Sequence, residues 1–192
     1  MPAELEVVRA ELVADPANAW ARERGYEPVY AAAAGSRILL IGQAPGRKAQ
    51  DSGVPFDDAS GVRLREWLGV TDEQFYDPMR FAILPMDFYF PGQGSSGDLP
   101  PRKDFAPRWH PRLLAAMPDV ALTLLVGGYA QKHYLETHRN LTETVRAYRE
   151  YLPSKLPLVH PSPLNFRWHK KNPWFETEVV PVLRARVREV LG

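Results

Sequence analysis

The chain has 192 residues, 45% of them hydrophobic, enough to bury one sizeable core and few for two, so a single domain over residues 1–192 is expected. Its 24 cationic and 23 anionic side chains leave a formal charge of +1, so no overall field draws in a polyanion and any nucleic-acid binding has to use a local patch. The lack of cysteine excludes disulfides, thiolate metal sites and iron-sulfur clusters, and a reducing, cytoplasmic location is the easiest fit.

The opening "MPAELEVVRAELVADPANAW" has neither the basic start nor the apolar stretch of a signal peptide, and no later run approaches a membrane span. Residues 4–14 have helical spacing with Leu5, Val8 and Leu12 on one face, and Asp15-Pro16 stops them. "RILLIG" reads as a buried strand ended by Gly42. Beyond the loop "QAPGRKAQDSGVPFDDASG", Val62 to Leu68 is helical in pattern, and "RFAIL" is a second strand. After the loop "PMDFYFPGQGSSGDLPPRKDFAP", helix signals return at Pro111 to Met117, and "DVALTLLVGG" is a third strand. Gly128 to Leu135 and Leu141 to Tyr151 read as helices, "KLPLVH" as a fourth strand, and Pro173 opens a last helix to Leu191.

Strands alternating with helices predict an α/β fold in three layers, α/β/α, around a mainly parallel four-stranded sheet. In such sheets the working loops lie beyond the carboxyl ends of the strands. Here those loops are "GQAPG", "PMDFYFPG", "GGYAQKH" and "HPSPLN", and many of the nineteen prolines lie in them or close by.

Gly42, Pro45 and Gly46 suit close approach to a phosphate or a flat ligand, and equally suit a plain strand-to-helix turn. The loop has neither the G-x-G-x-x-G spacing nor the Gly-Lys-Ser/Thr of a P-loop. The five histidines lack metal-ligand spacing, so no metal is expected, and no G-x-S-x-G elbow is present. Phe88, Tyr89, Phe90 and Trp109 suit a base-stacking platform or a lid anchored to the core. Arg167, His169, Lys170 and Lys171 surround Trp168, a mixture that suits phosphates and exposed bases, or an ordinary solvated loop.

Two spaced motifs resemble those of the uracil-DNA glycosylase superfamily over about residues 37–175. "GQAPGRKAQDSGVPFDDASG" is similar to the first motif of the iron-sulfur branch, with Pro55-Phe56 at that branch's spacing, and "HPSPLN" resembles the second motif of the main uracil branch. The four cluster cysteines of the iron-sulfur branch are missing, so the resemblance implies no cofactor. It implies a DNA glycosylase of base excision repair that flips a damaged, deaminated base such as uracil from DNA and hydrolyses its N-glycosidic bond, acting as a monomer without a membrane.

By the same resemblance, Phe56 stacks on the base, Gln43 and Ala44 lie in the base-contacting loop, and His160 is the catalytic donor to the leaving base. Leu164 is the apolar wedge. Gly46, Ser60, Ser162, Asn165, Arg167, Lys170 and Lys171 fall among the DNA-contacting positions. No lysine stands in either motif as a Schiff-base nucleophile, which implies a monofunctional hydrolase.

Two departures bear on the chemistry. Where the main branch carries a water-orienting aspartate this chain has Ala44, and where the iron-sulfur branch places a carboxylate it has Ala49, leaving Asp51 as the nearest substitute and Asp57 and Asp58 as weaker candidates that better suit a helix start. "ILPMDFYF" lacks the pyrimidine-reading asparagine, and Asp87, the nearest polar group, would accept from N3–H of uracil but repel its carbonyl. Those gaps keep two rivals in view, a DNA-binding protein that has lost the chemistry and a nucleoside hydrolase.

Overall fold

The computed structural model describes residues 2–192. In chain order it contains α1 (Pro2–Ala14), α2 (Ala19–Glu23), β1 (Ile38–Ile41), α3 (Arg47–Ser52), α4 (Ala59–Leu68), α5 (Asp72–Tyr76), β2 (Phe81–Ile83), β3 (Gln93–Gly94) and β4 (Gly97–Asp98). There follow α6 (Phe105–Ala115), β5 (Leu122–Val126), α7 (Gly128–Leu135), α8 (Leu141–Arg146), β6 (Lys155–Leu158), α9 (Phe166–Lys171) and α10 (Val180–Leu191). A parallel four-stranded sheet has the order β2-β1-β5-β6, and β3 pairs with β4 as a separate antiparallel hairpin.

Side chains of a strand alternate between faces, and here both faces are apolar. Ile38, Leu40, Phe81, Ile83, Leu124 and Val126 join one core with Leu64 and Trp67 of α4 and Leu183 and Val187 of α10. Leu39, Ile41, Ala82, Leu84 and Leu125 join a second core with Val8 and Leu12 of α1 and Trp109 and Leu113 of α6. This is the predicted three-layer arrangement. Pro157, which has no N–H to give a neighbour, sits in the edge strand β6. Strand order reverses at β1, whose neighbours β2 and β5 lie on opposite sides, so loops leaving β1 and β5 diverge and open a crevice at their carboxyl ends.

Pro111, read as a helix start, lies well inside α6. The helix begins at Phe105 because Phe105, Ala106, Trp109, His110 and Leu113 form one buried stripe that the proline interrupts without ending. The Leu141–Tyr151 segment divides into α8 and a 3₁₀ turn over Tyr148–Glu150. The short helices α3 and α9 lie where loops were read and α5 where no element was read, each too short to show a full apolar period. Phe88, Tyr89, Phe90 and Trp109 are all buried, so of the two readings for these aromatics the core one holds.

His110 ties the loop after β2 to two helices. The Pro85 carbonyl can only accept, so the ring donates from Nε2 to it over 3.0 Å, and Nδ1 accepts from the Tyr134 hydroxyl. Burial lowers the pKa of this histidine from 6.5 to about 4, keeping it neutral. The unfolded chain takes up a proton near 6.5 and the folded chain only near 4, so stability is complete above pH 6.5 and is lost as the pH falls between those values. Urea titrations should show a loss of up to about 3 kcal/mol from this group between pH 7 and pH 4. His110→Asn should be less stable than wild type at pH 7 and lose less over the same interval; an unchanged pH slope in the variant would count against the assignment.

Candidate active site

The loop after β1 carries its pairing past the end of the strand. Met86 N–H donates to the Gly42 carbonyl at 2.9 Å and Asp87 N–H donates to the Gln43 carbonyl at 3.2 Å. The Gln43 side-chain amide donates to the Leu99 carbonyl at 3.2 Å, joining this loop to the exit of the β3–β4 hairpin.

Further along, Phe56 has a φ of +56°, a left-handed conformation that costs a bulky residue on the order of 1–3 kcal/mol. Three contacts hold it there. The Tyr76 hydroxyl donates to its carbonyl at 3.3 Å, its ring meets Phe75 edge to face, and Gly61 lets the carbonyl pass. A Cβ on Gly61 would stand 1.7 Å from the Phe56 oxygen. The ring tip reaches over Gly42, where a Cβ would lie 3.3 Å from Cζ, so the side chain closes on the loop in space that only a glycine leaves free. Asp58 N-caps α4 by accepting from Gly61 N–H at 2.9 Å, which fixes the same arch from its other end.

His160 follows β6 on the proline-stiffened loop. Ser162 N–H donates to its Nδ1 at 3.2 Å, and the Asn165 side chain donates to its carbonyl at 2.8 Å. With Nδ1 accepting, the neutral ring carries its proton on Nε2. Burial lowers its pKa below the usual histidine value, against the opposing charges of Asp58 and Asp98, so the ring is neutral at pH 7. Ser162 Oγ in turn accepts from Leu164 N–H, and Leu164 is 84% exposed at the tip of the turn.

These elements enclose a cavity of about 570 Å³, within the size range of small-molecule sites. Gln43, Ala44, Gly46 and Phe56 line it from the first motif, with Ser60 from the first turn of α4. His160, Ser162, Leu164 and Asn165 line it from the second. Arg167, Lys170 and Lys171 stand outside on exposed faces of α9, beyond Leu164, with no ion-pair partner among the described residues. His169 is not part of that cationic patch, since its ring packs against Trp67, Trp168 and Phe175 and its nitrogens are buried. No group of three or more His, Cys, Asp or Glu side chains among the described residues is placed to hold a metal ion.

Two expected site residues lie elsewhere. Asp51 is exposed on α3, whereas Ala49 is buried and lines the cavity. Positions two apart on a helix differ by about 200°, so a helix that turns Ala49 inward must turn Asp51 outward. Asp87 is 1% exposed and accepts from the Arg102 guanidinium through both oxygens, at 2.7 and 2.9 Å, and from the N–H groups of Tyr89 and Arg102. Its lone pairs are filled, and it belongs to a different depression beside Trp20 and Pro91. The cavity wall at this point is Pro85 instead.

Sequence reading missed the hairpin. Gln93, Ser96 and Asp98 project from it into the cavity, and the available signal was the Ser95-Ser96 pair flanked by Gly94 and Gly97, with Gly97 at a φ of +127°. Asp58, weighed as a weaker carboxylate candidate and as a helix start, is both the cap of α4 and a cavity residue. A second depression, of about 820 Å³, continues past Gln43 and His160 between Pro100-Pro101 and Gly127-Gly128, with Arg102, Lys103 and Lys132 around it.

A protein-family model described as the uracil DNA glycosylase superfamily matches residues 28–184, a span that contains every cavity residue named above. Asp87→Asn should destabilise the fold by on the order of 3 kcal/mol, since it leaves Arg102 facing a neutral partner in a largely buried pair. Denaturant titration measures that loss, and a variant of wild-type stability with altered ligand preference would return Asp87 to the site. Gly61→Ala should cost a similar amount and displace Phe56, because the carbonyl at 1.7 Å has to move.

Proposed function

The chain belongs to the uracil DNA glycosylase superfamily, and we propose that it is a monofunctional DNA glycosylase that removes a deaminated base such as uracil from DNA. The observation that carries this reading is the meeting, in one cavity, of the Phe56 ring with a neutral His160 whose Nε2–H is its one free donor. The first motif supplies a flat face for a base turned out of the stack. The second supplies a hydrogen bond to charge that develops as the base leaves.

Cleavage of the glycosidic bond sends its electron pair into the base and leaves the sugar cationic. A donor fixed at the base oxygen gains strength as that oxygen becomes negative, so it stabilises the transition state more than the bound substrate. The Ser162 N–H bond to Nδ1 keeps the ring oriented with its proton on the far nitrogen. For the edge of the base, the Gln93 amide offers both a donor and an acceptor, which suits the N3–H and O4 of uracil where the family's asparagine is missing.

DNA as substrate, instead of a free nucleoside, is favoured by groups outside the cavity. Leu164, 84% exposed beside cations on α9, has no use for a nucleoside but fits the space that a flipped base vacates. Ser60 and Ser162 on the cavity wall, and Lys103 and Lys132 along the adjoining depression, can meet a phosphate backbone on either side.

Labelled duplexes and single strands containing uracil, hypoxanthine or xanthine, assayed for abasic-site formation, test the proposal. Wild type should release one of these bases. His160→Ala should reduce single-turnover release by about 10²- to 10³-fold, the range for removal of one such donor. Leu164→Ala should impair duplex more than single-stranded substrate, and affinity should fall as salt rises. DNA binding without any base release would favour a non-catalytic binding protein, the reading that Ala44 and Ala49 motivate. Turnover of free nucleosides insensitive to salt and to Leu164→Ala would favour a nucleoside hydrolase.

A further inference from the structure

Hydrolysis, on the reading above, needs a group that holds water against the sugar and tolerates its positive charge. Ala44 and Ala49 present only methyl groups to the cavity, Asp51 faces solvent, and Asp57 lies 3.8 Å from Lys48. Two carboxylates remain on the cavity wall, Asp58 and Asp98.

Asp58 is already engaged. One of its oxygens accepts from Gly61 N–H, and that bond holds the start of α4 against the Phe56 arch. Asp98 has no hydrogen bond or ion pair among the described residues. Its position is nonetheless set by the hairpin, through the pairing of Asp98 with Gln93, the Leu99 N–H bond to the Gly92 carbonyl at 2.9 Å, and the Gln43 amide on the Leu99 carbonyl at 3.2 Å. Its Oδ2 lies 3.7 Å from where a Cβ on Gly46 would stand, so the carboxylate hangs over the first-motif loop in space left by a residue without a side chain. Its charge is also felt at His160, on the opposite motif.

We propose that Asp98, carried by the β3–β4 hairpin, is the catalytic carboxylate of this chain, replacing the carboxylates missing at Ala44 and Ala49. As the C1′–N bond breaks and its electron pair leaves with the base, the Asp98 charge stabilises the cationic sugar. The water oxygen then bonds to C1′, one of its protons passes to the Asp98 carboxylate and on to solvent, and the other stays as the hydroxyl of the abasic sugar. The departing base anion takes its proton from solvent.

The inference rests on the glycosylase reading, and single-turnover base release from a uracil-containing duplex separates the two. Asp98→Asn should fold with wild-type stability because the side chain makes no contact to lose. It should bind the duplex as tightly as wild type or more so, since a negative charge is removed, and release base about 10²-fold or more slowly. Asp98→Glu should recover part of the rate.

If wild type releases no base from any substrate, the glycosylase reading fails and this inference with it. If wild type is active and Asp98→Asn is within about threefold of it, the inference alone is overturned. Asp58→Asn as the slow variant, at unchanged stability and with Asp98→Asn active, would assign the role to Asp58 and overturn it equally.

Discussion

The constraint on which the site depends is that backbone leaving the carboxyl edge of a buried parallel sheet must still find hydrogen-bond partners. At this edge the partners are buried polar side chains. Gln131 donates to the carbonyls of Leu125 and Leu158, closing the ends of β5 and β6 together. Gln50 accepts from Phe90 N–H and donates to the Glu27 carbonyl, and His110 donates to Pro85. Asp87 accepts from Tyr89 N–H and holds Arg102, which in turn reaches Asn18. All four of Gln50, Asp87, His110 and Gln131 are below a tenth exposed. They act as fixed posts behind the loops, so the cavity is built on backbone that cannot drift without leaving a buried group unpaired.

That role accounts for the difference between Asp87 in the sequence and Asp87 in the fold. A carboxylate at the end of a predicted strand, in a loop rich in aromatics, has the look of a ligand-reading group. The feature that decides otherwise is Arg102, fifteen positions on, whose guanidinium matches the carboxylate through two hydrogen bonds. Nothing local in "ILPMDFYF" reveals that partner. Asp51 differs in kind: it depended on a short helix whose phase was unread, and the orientation of one turn moved the carboxylate from the cavity to the solvent.

What the sequence made legible was whatever is local or periodic. The four strands are short apolar runs bounded by glycine or proline, and α7 begins at the glycine pair that ends β5. The two motifs bring Phe56 and His160 to one cavity because both leave the same carboxyl edge of the sheet, from β1 and β6 on either side of β5. The hairpin was not legible because its strands are two residues each and carry no apolar alternation to announce them. Its place in the site depends on long-range contacts, chiefly the Gln43 amide on Leu99, fifty-six positions away. Part of the cavity wall is thus built by the segment with the weakest secondary-structure signal.

The charges around the cavity also explain why a neutral histidine is suited to the work. Asp58 and Asp98 flank the space, and a polyanion approaching it needs compensation, yet the chain as a whole carries only +1. Compensation is placed outside, on α9 and along the second depression, where cations can meet phosphates while remaining solvated. Inside, burial opposes a charged imidazole more strongly than the two carboxylates favour one. A protonated ring would also lose its bond from Ser162 N–H, because Nδ1 could no longer accept, and the ring would be freed to turn. Neutrality therefore preserves direction, keeping the proton on Nε2, and the cations outside are separated from the donor inside.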